Sequence, residues 1–316
     1  AQGCGYDARA QPPLLRPGGH FAMAWLSKYK VSDLALPTPL ITLSHPKSCL
    51  FEAIDLLSEK RLLSVPVLDS DTSALLGVLD CLDIVAYTVR TAADKKGLAD
   101  EPLDKVIGLA TDGVKPAEVG LDTPLDEVAQ AISGPARRAI VMGADGKALS
   151  VITQSLLLQF LHSKMSEMEV KLTAGDLCTT SPICVTEGQS ALSAFQVIHD
   201  NGVSSVAIVE EDTGCVVSVA SATDLVVGLA QAPDKAKALE SVGELTIVDI
   251  VSANRKLDHK ARAATVMVRP DAGMEHILDK LARTRVHRVI VCADDRKPHG
   301  VLSLTDICRA AAELKA

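Results

Sequence analysis

The residues best suited to chemistry lie near the C-terminus, where His287 and Arg288 begin an apolar segment of Val and Ile. A second short apolar segment follows and leads into Ser303 and Asp306. A guanidinium binds phosphate oxygens through two parallel hydrogen bonds, and a carboxylate can accept hydrogen bonds from both hydroxyls of a ribose. This arrangement of opposite charges therefore predicts a site for a phosphorylated nucleoside, and it favours binding and regulation over catalysis.

Motifs of catalysis do not occur in the chain. There is no GxSxG, no HExxH, no phosphate-binding loop of the Walker type and no glycine run of the dinucleotide-binding type. The segment Gly143-Ala144-Asp145-Gly146 is typical of a turn and not of a phosphate cradle. We therefore predict that the protein is not an enzyme.

Composition narrows the class of protein further. Hydrophobic residues make up 47% of the 316 residues, which excludes disorder, and the net charge of −8 argues against a general nucleic-acid-binding protein. No apolar run is long enough to span a membrane. The eight cysteines form no CxxC pair, which predicts a reducing compartment with neither disulfides nor a metal site. We expect a cytoplasmic protein, and a nuclear location or organellar targeting by the N-terminal tail stays open.

Four copies of one pattern must position the candidate residues. Each copy contains a helical period of apolar residues, an apolar strand, a polar turn, a second strand and a second helix. The first of these apolar strands begins at four corresponding places: Ser64, Arg138, Ser205 and Arg288. With one more strand at its start, the unit reads strand, helix, strand, strand, helix, with both helices on one face of a small sheet.

The repeats predict an α/β (α+β) fold made of two tandem pairs of copies, arranged as a disc with pseudo-fourfold symmetry. One copy is too small to bury much core, and we expect copies one and two, and copies three and four, to bury it together. The predicted units are a flexible tail at 1–30 and copies at 31–91, 105–166, 170–231 and 245–312. We expect 92–104 and 232–244 to be charged linkers, and 253–261 to be a solvated loop.

The fourfold repeat resembles cystathionine-β-synthase (CBS) domains, arranged as two tandem CBS pairs (Bateman modules). Within that family the chain is similar to the γ regulatory subunits of AMP-activated and SNF1-related protein kinases, including the plant γ-like type. The resemblance rests on Val286 to Val289, Gly300 to Asp306, Val203 to Val209 and Leu82 to Ala86. It implies AMP, ADP or ATP as a regulatory ligand. The implied partners are the catalytic and scaffold subunits of a kinase, or another multi-protein complex.

The resemblance also implies which residues contact the nucleotide. In the family an Asp at the start of each second helix receives the ribose hydroxyls, and Arg and His side chains bind the phosphates. The residues of this chain at the matching positions are Asp83, Asp224 and Asp306 for ribose, Arg137, Arg138, His287 and Arg288 for phosphate, and Thr180, Ser221, Ser303 and Thr305 beside them. The acids can equally be helix N-caps, and Arg137 can be an ordinary surface cation.

Several positions depart from the family pattern. Copy two has Leu156 where the Asp belongs, and copy one has Asp80 in place of Ser or Thr and Leu63 in place of a basic residue. Two neighbouring carboxylates would repel a phosphate, so we predict that the site in the first pair is degenerate, or binds a neutral nucleoside or nothing. In copy three, Ser204 and Ser205 shift the pattern by one place, which leaves a serine contact there open.

Two functions remain open from the sequence. The first is a nucleotide-sensing regulatory subunit that uses the cleft between copies three and four. The second is an interaction protein of the same fold, associated with a phosphatase or another complex, in which nucleotide binding is partly or wholly lost. Asp80, Leu63 and Leu156 favour the second, and the intact copy-four pattern favours the first.

Overall fold

A computed structural model describes residues 26–94, 96–168, 170–257 and 265–313. No helix within these residues is long and apolar enough to cross a membrane. Residues 1–25 of the predicted tail lie outside the described part. The prediction of a flexible tail is wrong for residues 26–30, because Leu26 is fully buried and belongs to a 3₁₀ helix, Leu26–Lys28, that packs on copy two.

The four copies share the predicted order of elements. Copy one consists of β1 Leu43–His45, α1 Leu50–Lys60, β2 Ser64–Asp69, β3 Leu75–Asp80 and α2 Cys81–Ala93. Copy two consists of β4 Ala117–Val119, α3 Leu125–Ile132, β5 Arg138–Met142, β6 Ala148–Thr153 and α4 Gln154–Ser163. Copy three begins with α5 Ala174–Leu177 and β7 Thr179–Thr180, and continues with β8 Cys184–Thr186, α6 Ala191–Asp200, β9 Ser205–Val209, β10 Val216–Ser221 and α7 Ala222–Gln231.

Copy four completes the series. Its elements are α8 Ala238–Glu244, α9 Ile247–Leu257, β11 Met267–Val268, α10 Met274–Thr284, β12 Arg288–Cys292, β13 Pro298–Ser303 and α11 Leu304–Glu313. In every copy the strand before the connecting helix (β1, β4, β8 or β11) is parallel to the strand after it, because a helix connects them. That second strand is antiparallel to the next one. The hairpin turns contain residues with positive φ, among them Ser73, Gly146, Gly214 and Arg296, as the polar turn segments predict.

In each copy the strand before the connecting helix follows an entry segment, which packs on the other copy of the pair. The entry segments are residues 26–42, 96–116, 170–183 and 235–257. The first packs on copy two, where the amide of Val31 donates to Thr123 O at 3.0 Å. The third packs on copy four, where β7 adds a strand to the edge of β13. The second and fourth make corresponding contacts with copies one and three. This exchange ties the members of each tandem pair together.

The hydrophobic cores run mainly between the pairs, and not within them as the sequence led us to expect. Helices α1 and α2 of copy one pack against α6 and α7 of copy three, and α3 and α4 of copy two pack against α10 and α11 of copy four. One large core therefore joins copies one and three, and a second joins copies two and four. The physical reason is that each copy presents the apolar stripes of two helices, and the sheet contacts within a pair leave those stripes uncovered.

Two predicted loops are ordered secondary structure. Residues 232–244 include α8, which buries Ala238, Leu239 and Val242 instead of forming a wholly charged linker. Residues 253–257 of the predicted solvated loop are the last turns of α9. The rest of that loop, from residue 258 to 261, lies outside the described residues. The sequence prediction failed here because the basic residues near the end of α9 indicated a solvated loop, although apolar residues earlier in the helix bury it.

Candidate functional site

The four second helices begin at one small cavity in the centre of the molecule. The N-cap residues of α2, α4, α7 and α11 all line it, and they are Asp80, Thr153, Ser221 and Ser303. Its volume is about 90 Å³. A helix N-terminus carries a partial positive charge and unpaired N–H groups, so four of them meeting at one place favour an anion.

Three arginines and a histidine also line this cavity, and they are Arg137, Arg138, His287 and Arg288. The structure thus brings together all four residues that the sequence indicated for phosphate binding. Arg288 reaches across the pair interface, and its Nη2 donates to Ser204 Oγ at 3.1 Å. Ser204 is therefore the serine of copy three that lies beside Arg288, and a contact of this serine with a nucleotide stays a prediction.

Burial and mutual repulsion both disfavour the positive charge of the arginines in the cavity. Burial and the charge of Arg137 together lower the pKa of Arg288 to about 10, against the opposite effect of Asp224 and Asp306. Burial also lowers the pKa of Arg137. Both groups remain cationic at neutral pH, and they repel each other at close range. An anion placed between them would relieve this repulsion, so the cavity is electrostatically suited to a phosphate group.

Arg138 is the most enclosed of the cations and has an acidic partner. Its Nη1 forms an ion pair with Asp80 Oδ2, and its side chain is 7% exposed. Its Nε is buried and has no hydrogen-bond partner among the residues that the structure describes. Asp80 also caps α2, because its Oδ1 accepts from the amide of Leu82 at 2.7 Å. The acid in the serine position is therefore paired with an arginine and does not stand as a second free carboxylate beside Asp83.

Asp306 lies close to the cationic cavity, as the ribose assignment requires. Its Oδ2 accepts from the amide and the hydroxyl of Ser303 at 2.8 and 2.6 Å, and its Oδ1 lies 3.3 Å from Arg309 Nη1, one turn along the same helix. Its charge acts on both Arg288 and Cys178, so the carboxylate lies between the cavity and the entry segment of copy three. The capping role and the binding role are compatible, because each uses a different oxygen.

Asp224 is held more firmly by its surroundings. Ser221 occupies one carboxylate oxygen through its amide and hydroxyl, and Asn254 Nδ2 lies 3.5 Å from the other. Asn254 and the neighbouring Arg255 belong to α9, and Arg255 Nη2 donates to Ser218 Oγ at 2.6 Å. Sequence reasoning missed these two side chains because it placed them in a solvated loop. Their polarity, at the end of an apolar helix, was the only available signal.

Asp83 has both carboxylate oxygens engaged by backbone amides. The donors are Asp80 N and Ala110 N, each at 2.9 Å, and the side chain is 1% exposed. Burial raises the pKa of Asp83 from its usual 3.8 to about 6, against the effect of the two amides. The entry segment of copy two therefore covers the acid that the resemblance assigns to a ribose. The structure does not present Asp83 as a free acceptor.

The two threonines of the predicted site have different surroundings. Thr305 lines the central cavity, and its hydroxyl is hydrogen-bonded to the amide of Gln154 from copy two. Thr180 is exposed and pairs with Gly300 through the backbone, outside the residues that line the central cavity. Gly300 is required there, because a Cβ would lie 2.5 Å from Cys178 Sγ. The proposed Thr180 contact to phosphate therefore needs β7 to move or the ligand to extend outward.

The first pair contains a larger cavity than the central one. Its volume is about 510 Å³, in the range of pockets for small molecules, whereas the central cavity is too small for a whole nucleoside. His45, Asp69, Arg137 and Arg138 are among the residues that line it. The prediction that this site is degenerate concerned the charges of Asp80 and Asp83 and not the volume of the cleft, and it stays a prediction. Among the described residues there is no cluster of side chains that could hold a metal ion.

Comparison with known proteins agrees with this arrangement of copies. The model of the CBS domain matches residues 31–90, 174–230 and 261–313, which together span just over half of the chain. The chain belongs to the CBS-domain family. Copy two of this CBS protein lies outside the matched ranges, yet its strands and helices follow the same order as those of the other three copies.

Two yeast proteins are similar to this CBS protein over most of their length. Both are named 5′-AMP-activated protein kinase subunit gamma. The Saccharomyces cerevisiae protein is 25% identical over 278 residues, with 82% of each chain covered. The Kluyveromyces lactis protein is 27% identical over 282 residues, covering 82% of this chain and 81% of its own.

A solved structure shows the same fold across the whole assembly. A protein from Methanocaldococcus jannaschii, a proposed archaeal homologue of γ-AMPK, superposes with a TM-score of 0.73 at 14% identity. The alignment covers 89% of this chain and 99% of the archaeal one. The arrangement of four CBS domains in two tandem pairs is therefore a fold that this chain has in common with a known structure.

Proposed function

We propose that this protein is an adenine-nucleotide-binding regulatory subunit of the γ type, which senses AMP, ADP or ATP and regulates a protein kinase complex. It acts as a binding subunit and carries out no chemical reaction of its own. The observation that carries the proposal is the central cavity, where Arg288 and Arg137 repel each other beneath four helix N-termini and Asp306 lies beside them. The likeness to two yeast γ subunits over most of their length supports the kinase assignment.

The proposed binding mode follows from the positions of these charges. The phosphates enter the central cavity and are bound by Arg288, His287 and Arg137, while the ribose hydroxyls bind Asp306. The central cavity of about 90 Å³ accommodates a phosphate, so the nucleoside lies outward between copies three and four. Ligands with one, two or three phosphates place different charge on the cavity. A difference in affinity between two states of the complex is all that regulation requires.

Equilibrium titration of the full chain with AMP, ADP and ATP tests the binding part of the proposal. We expect saturable binding of at least one nucleotide below about 1 mM, with affinity that weakens as salt concentration rises. Absence of binding by all three at millimolar concentration would contradict the proposal. Affinity capture from cell extract tests the regulatory part: recovery of kinase catalytic and scaffold subunits supports it, and recovery of a phosphatase complex contradicts it.

An interaction protein with reduced nucleotide binding is the second candidate. Two observations favour it: Asp83 is covered by the amide of Ala110, and Asp224 is approached by Asn254. If the protein belongs to this class, it captures its partner complex with the same yield in the presence and absence of AMP and ATP. If the protein is a γ subunit that senses nucleotide, it binds AMP or ATP, and the Arg288→Gln substitution weakens that binding.

A further inference from the structure

The central cavity contains one carboxylate among its cations. Of the residues that line it, Arg137, Arg138 and Arg288 carry guanidinium groups and Asp80 alone carries an acidic group. The other three N-cap positions that face the cavity are occupied by hydroxyl side chains, Thr153, Ser221 and Ser303. The acid is thus a local departure from a fourfold pattern of neutral caps.

Asp80 is fixed in a position where it neutralises a cation. One of its oxygens caps α2 through Leu82 N, and the other forms the ion pair with Arg138 Nη1. The two side chains are 17% and 7% exposed, so little water competes with the pair. Asp80 also acts electrostatically on Arg137, whose positive charge it favours. The carboxylate therefore reaches two of the three arginines that could bind an anion.

We propose that Asp80 is a built-in anion that occupies Arg138 and lowers the affinity of the central cavity for phosphate groups. This inference rests on the proposed function, because it concerns the same cavity. A bound phosphate meets the repulsion of Asp80 and must either displace it from Arg138 or bind to Arg288 and Arg137 alone. Asp80 thereby sets the anionic charge that the cavity accepts, and it disfavours ligands with more phosphates most strongly.

Replacement of Asp80 by serine is the direct test. Serine is an equally good N-cap and is the residue at the corresponding positions of copies three and four, so α2 keeps its cap. The Asp80→Asn variant removes the charge with the smallest change of shape and keeps an acceptor for Arg138. Loss of one partner of a buried ion pair is destabilising, so Asp80→Ser can fail to fold. In that case the anion affinity of Asp80→Asn tests the inference. Folding of both is checked by circular dichroism.

The matched control is Asp234→Ser. Asp234 is also an acidic N-cap and accepts a hydrogen bond from Lys237 N at 3.3 Å. Its side chain is 53% exposed and does not line the central cavity. The Asp234→Ser substitution changes the net charge by the same amount as Asp80→Ser. Inorganic pyrophosphate is the probe, since it measures the anion site without requiring recognition of adenine or ribose, and AMP and ATP are titrated in parallel.

We expect Asp80→Ser and Asp80→Asn to bind pyrophosphate on the order of tenfold more tightly than the wild type, with a larger gain for ATP than for AMP. The gain is expected because the variants remove a negative charge that repels the anion and competes with it for Arg138. A tenfold gain corresponds to about 1.4 kcal/mol. Asp234→Ser should match the wild type. Equal or weaker pyrophosphate binding by the Asp80 variants, or no binding by any of the proteins, overturns the inference.

The outcomes separate this inference from the proposed function. Wild-type protein that binds AMP, together with Asp80 variants whose anion affinity is unchanged, rejects the role of Asp80 and leaves the proposed function standing. Tighter pyrophosphate binding by the variants, without any nucleotide binding, supports the role of Asp80 and rejects the proposed function. A structure of the wild-type protein with pyrophosphate gives an independent check, because a phosphate on Arg138 with Asp80 still in place contradicts the inference.

Discussion

At the residue scale, the site is defined by like charges that lie close together in a buried place. Their repulsion is unfavourable, and a bound anion would reduce it. Arg288 lies deep in the molecule beside Arg137, and its pKa is depressed to about 10. Asp83 is the opposite case, an acid whose pKa is raised to about 6 because it is buried. Perturbed groups of this kind concentrate at functional sites. Arg288 lines a cavity that an anion can enter, while both oxygens of Asp83 are taken up by backbone amides.

Substitution of Arg288 by glutamine is expected to reduce the affinity for AMP and ATP by at least about tenfold, since a hydrogen bond to a charged group contributes roughly 1.5–3 kcal/mol. Glutamine removes the charge and keeps the aliphatic part of the side chain. Calorimetric titration measures the effect. The control is Arg283→Gln, on the exposed surface of α10, where the side chain is 77% exposed and pairs with Asp279. Equal losses in the two variants would exclude a specific role for Arg288.

The raised pKa of Asp83 predicts a specific dependence of stability on pH. Between pH 3.8 and about 6 the folded protein keeps the Asp83 proton that the unfolded chain has released. Stability from this group is therefore greatest at or below pH 3.8, falls as pH rises through that range, and is lower by about 3 kcal/mol above it. Urea unfolding at pH 4, 5 and 6 measures the effect as the difference between the wild type and Asp83→Asn.

The comparison with Asp83→Asn isolates this effect, because other carboxylates with lowered pKa values change stability in the opposite direction. Asp122→Asn is a control for loss of one surface charge, since its side chain is 92% exposed. A difference between wild type and Asp83→Asn that stays constant from pH 4 to 6 would show that Asp83 is not buried as the structure has it.

At the element scale, the entry segments position the site. Each one packs on the other copy of its pair. Three of them lie near an acid that the resemblance assigns to ribose: Ala110 near Asp83, Asn254 near Asp224, and Cys178 near Asp306. Of the three acids, Asp306 alone has its outer oxygen paired with a residue of its own helix, Arg309. Access to the outer oxygen of the copy-four acid therefore depends on a side chain of its own helix and not on a hydrogen bond from an entry segment.

The first entry segment is expected to be part of the stable core. Replacement of Leu26 by alanine should lower the free energy of unfolding by about 2–5 kcal/mol, because Leu26 is fully buried against α3. Denaturant unfolding measures the loss. Leu121→Ala is the matched control, with a leucine that is 44% exposed, and it should change stability by less than about 1 kcal/mol. Similar small effects in both variants would contradict the packing of residues 26–28.

At the scale of the whole molecule, the two tandem pairs depend on each other. The buried faces of α1 and α2 are covered by α6 and α7, and those of α3 and α4 by α10 and α11. The central cavity is lined by all four copies, so no single pair contains the complete cation cluster. The site therefore exists only when both pairs are assembled, and a shift of one pair against the other would change its shape.

Separation of the pairs tests this dependence. When residues 26–168 and 170–316 are produced as two chains in the same cell, we expect them to copurify as a one-to-one complex, because each exposes apolar helix faces that fit the other. Each half alone should form self-associated species in size-exclusion chromatography. Two halves that are both monomeric and do not bind each other would contradict the cross-pair cores.

The sequence by itself determined the four copies, their strand and helix order, and the residues that form the cationic cluster. Helical and strand periods depend on neighbouring residues, and His287 with Arg288 stands at the start of an apolar strand whatever surrounds it. The fold class and most element positions followed from these local patterns. The same reasoning failed for residues 26–30 and for α9, because their order comes from burial against a distant copy.

Only the tertiary structure decided which copies share a core and which acids are available. The pairing of copy one with copy three, the ion pair of Asp80 with Arg138 and the cover of Ala110 over Asp83 join residues far apart in the chain. Such contacts depend on the relative placement of whole helices and sheets, and no local pattern of residues encodes that placement. The volume of the cavity in the first pair is likewise a property of packing.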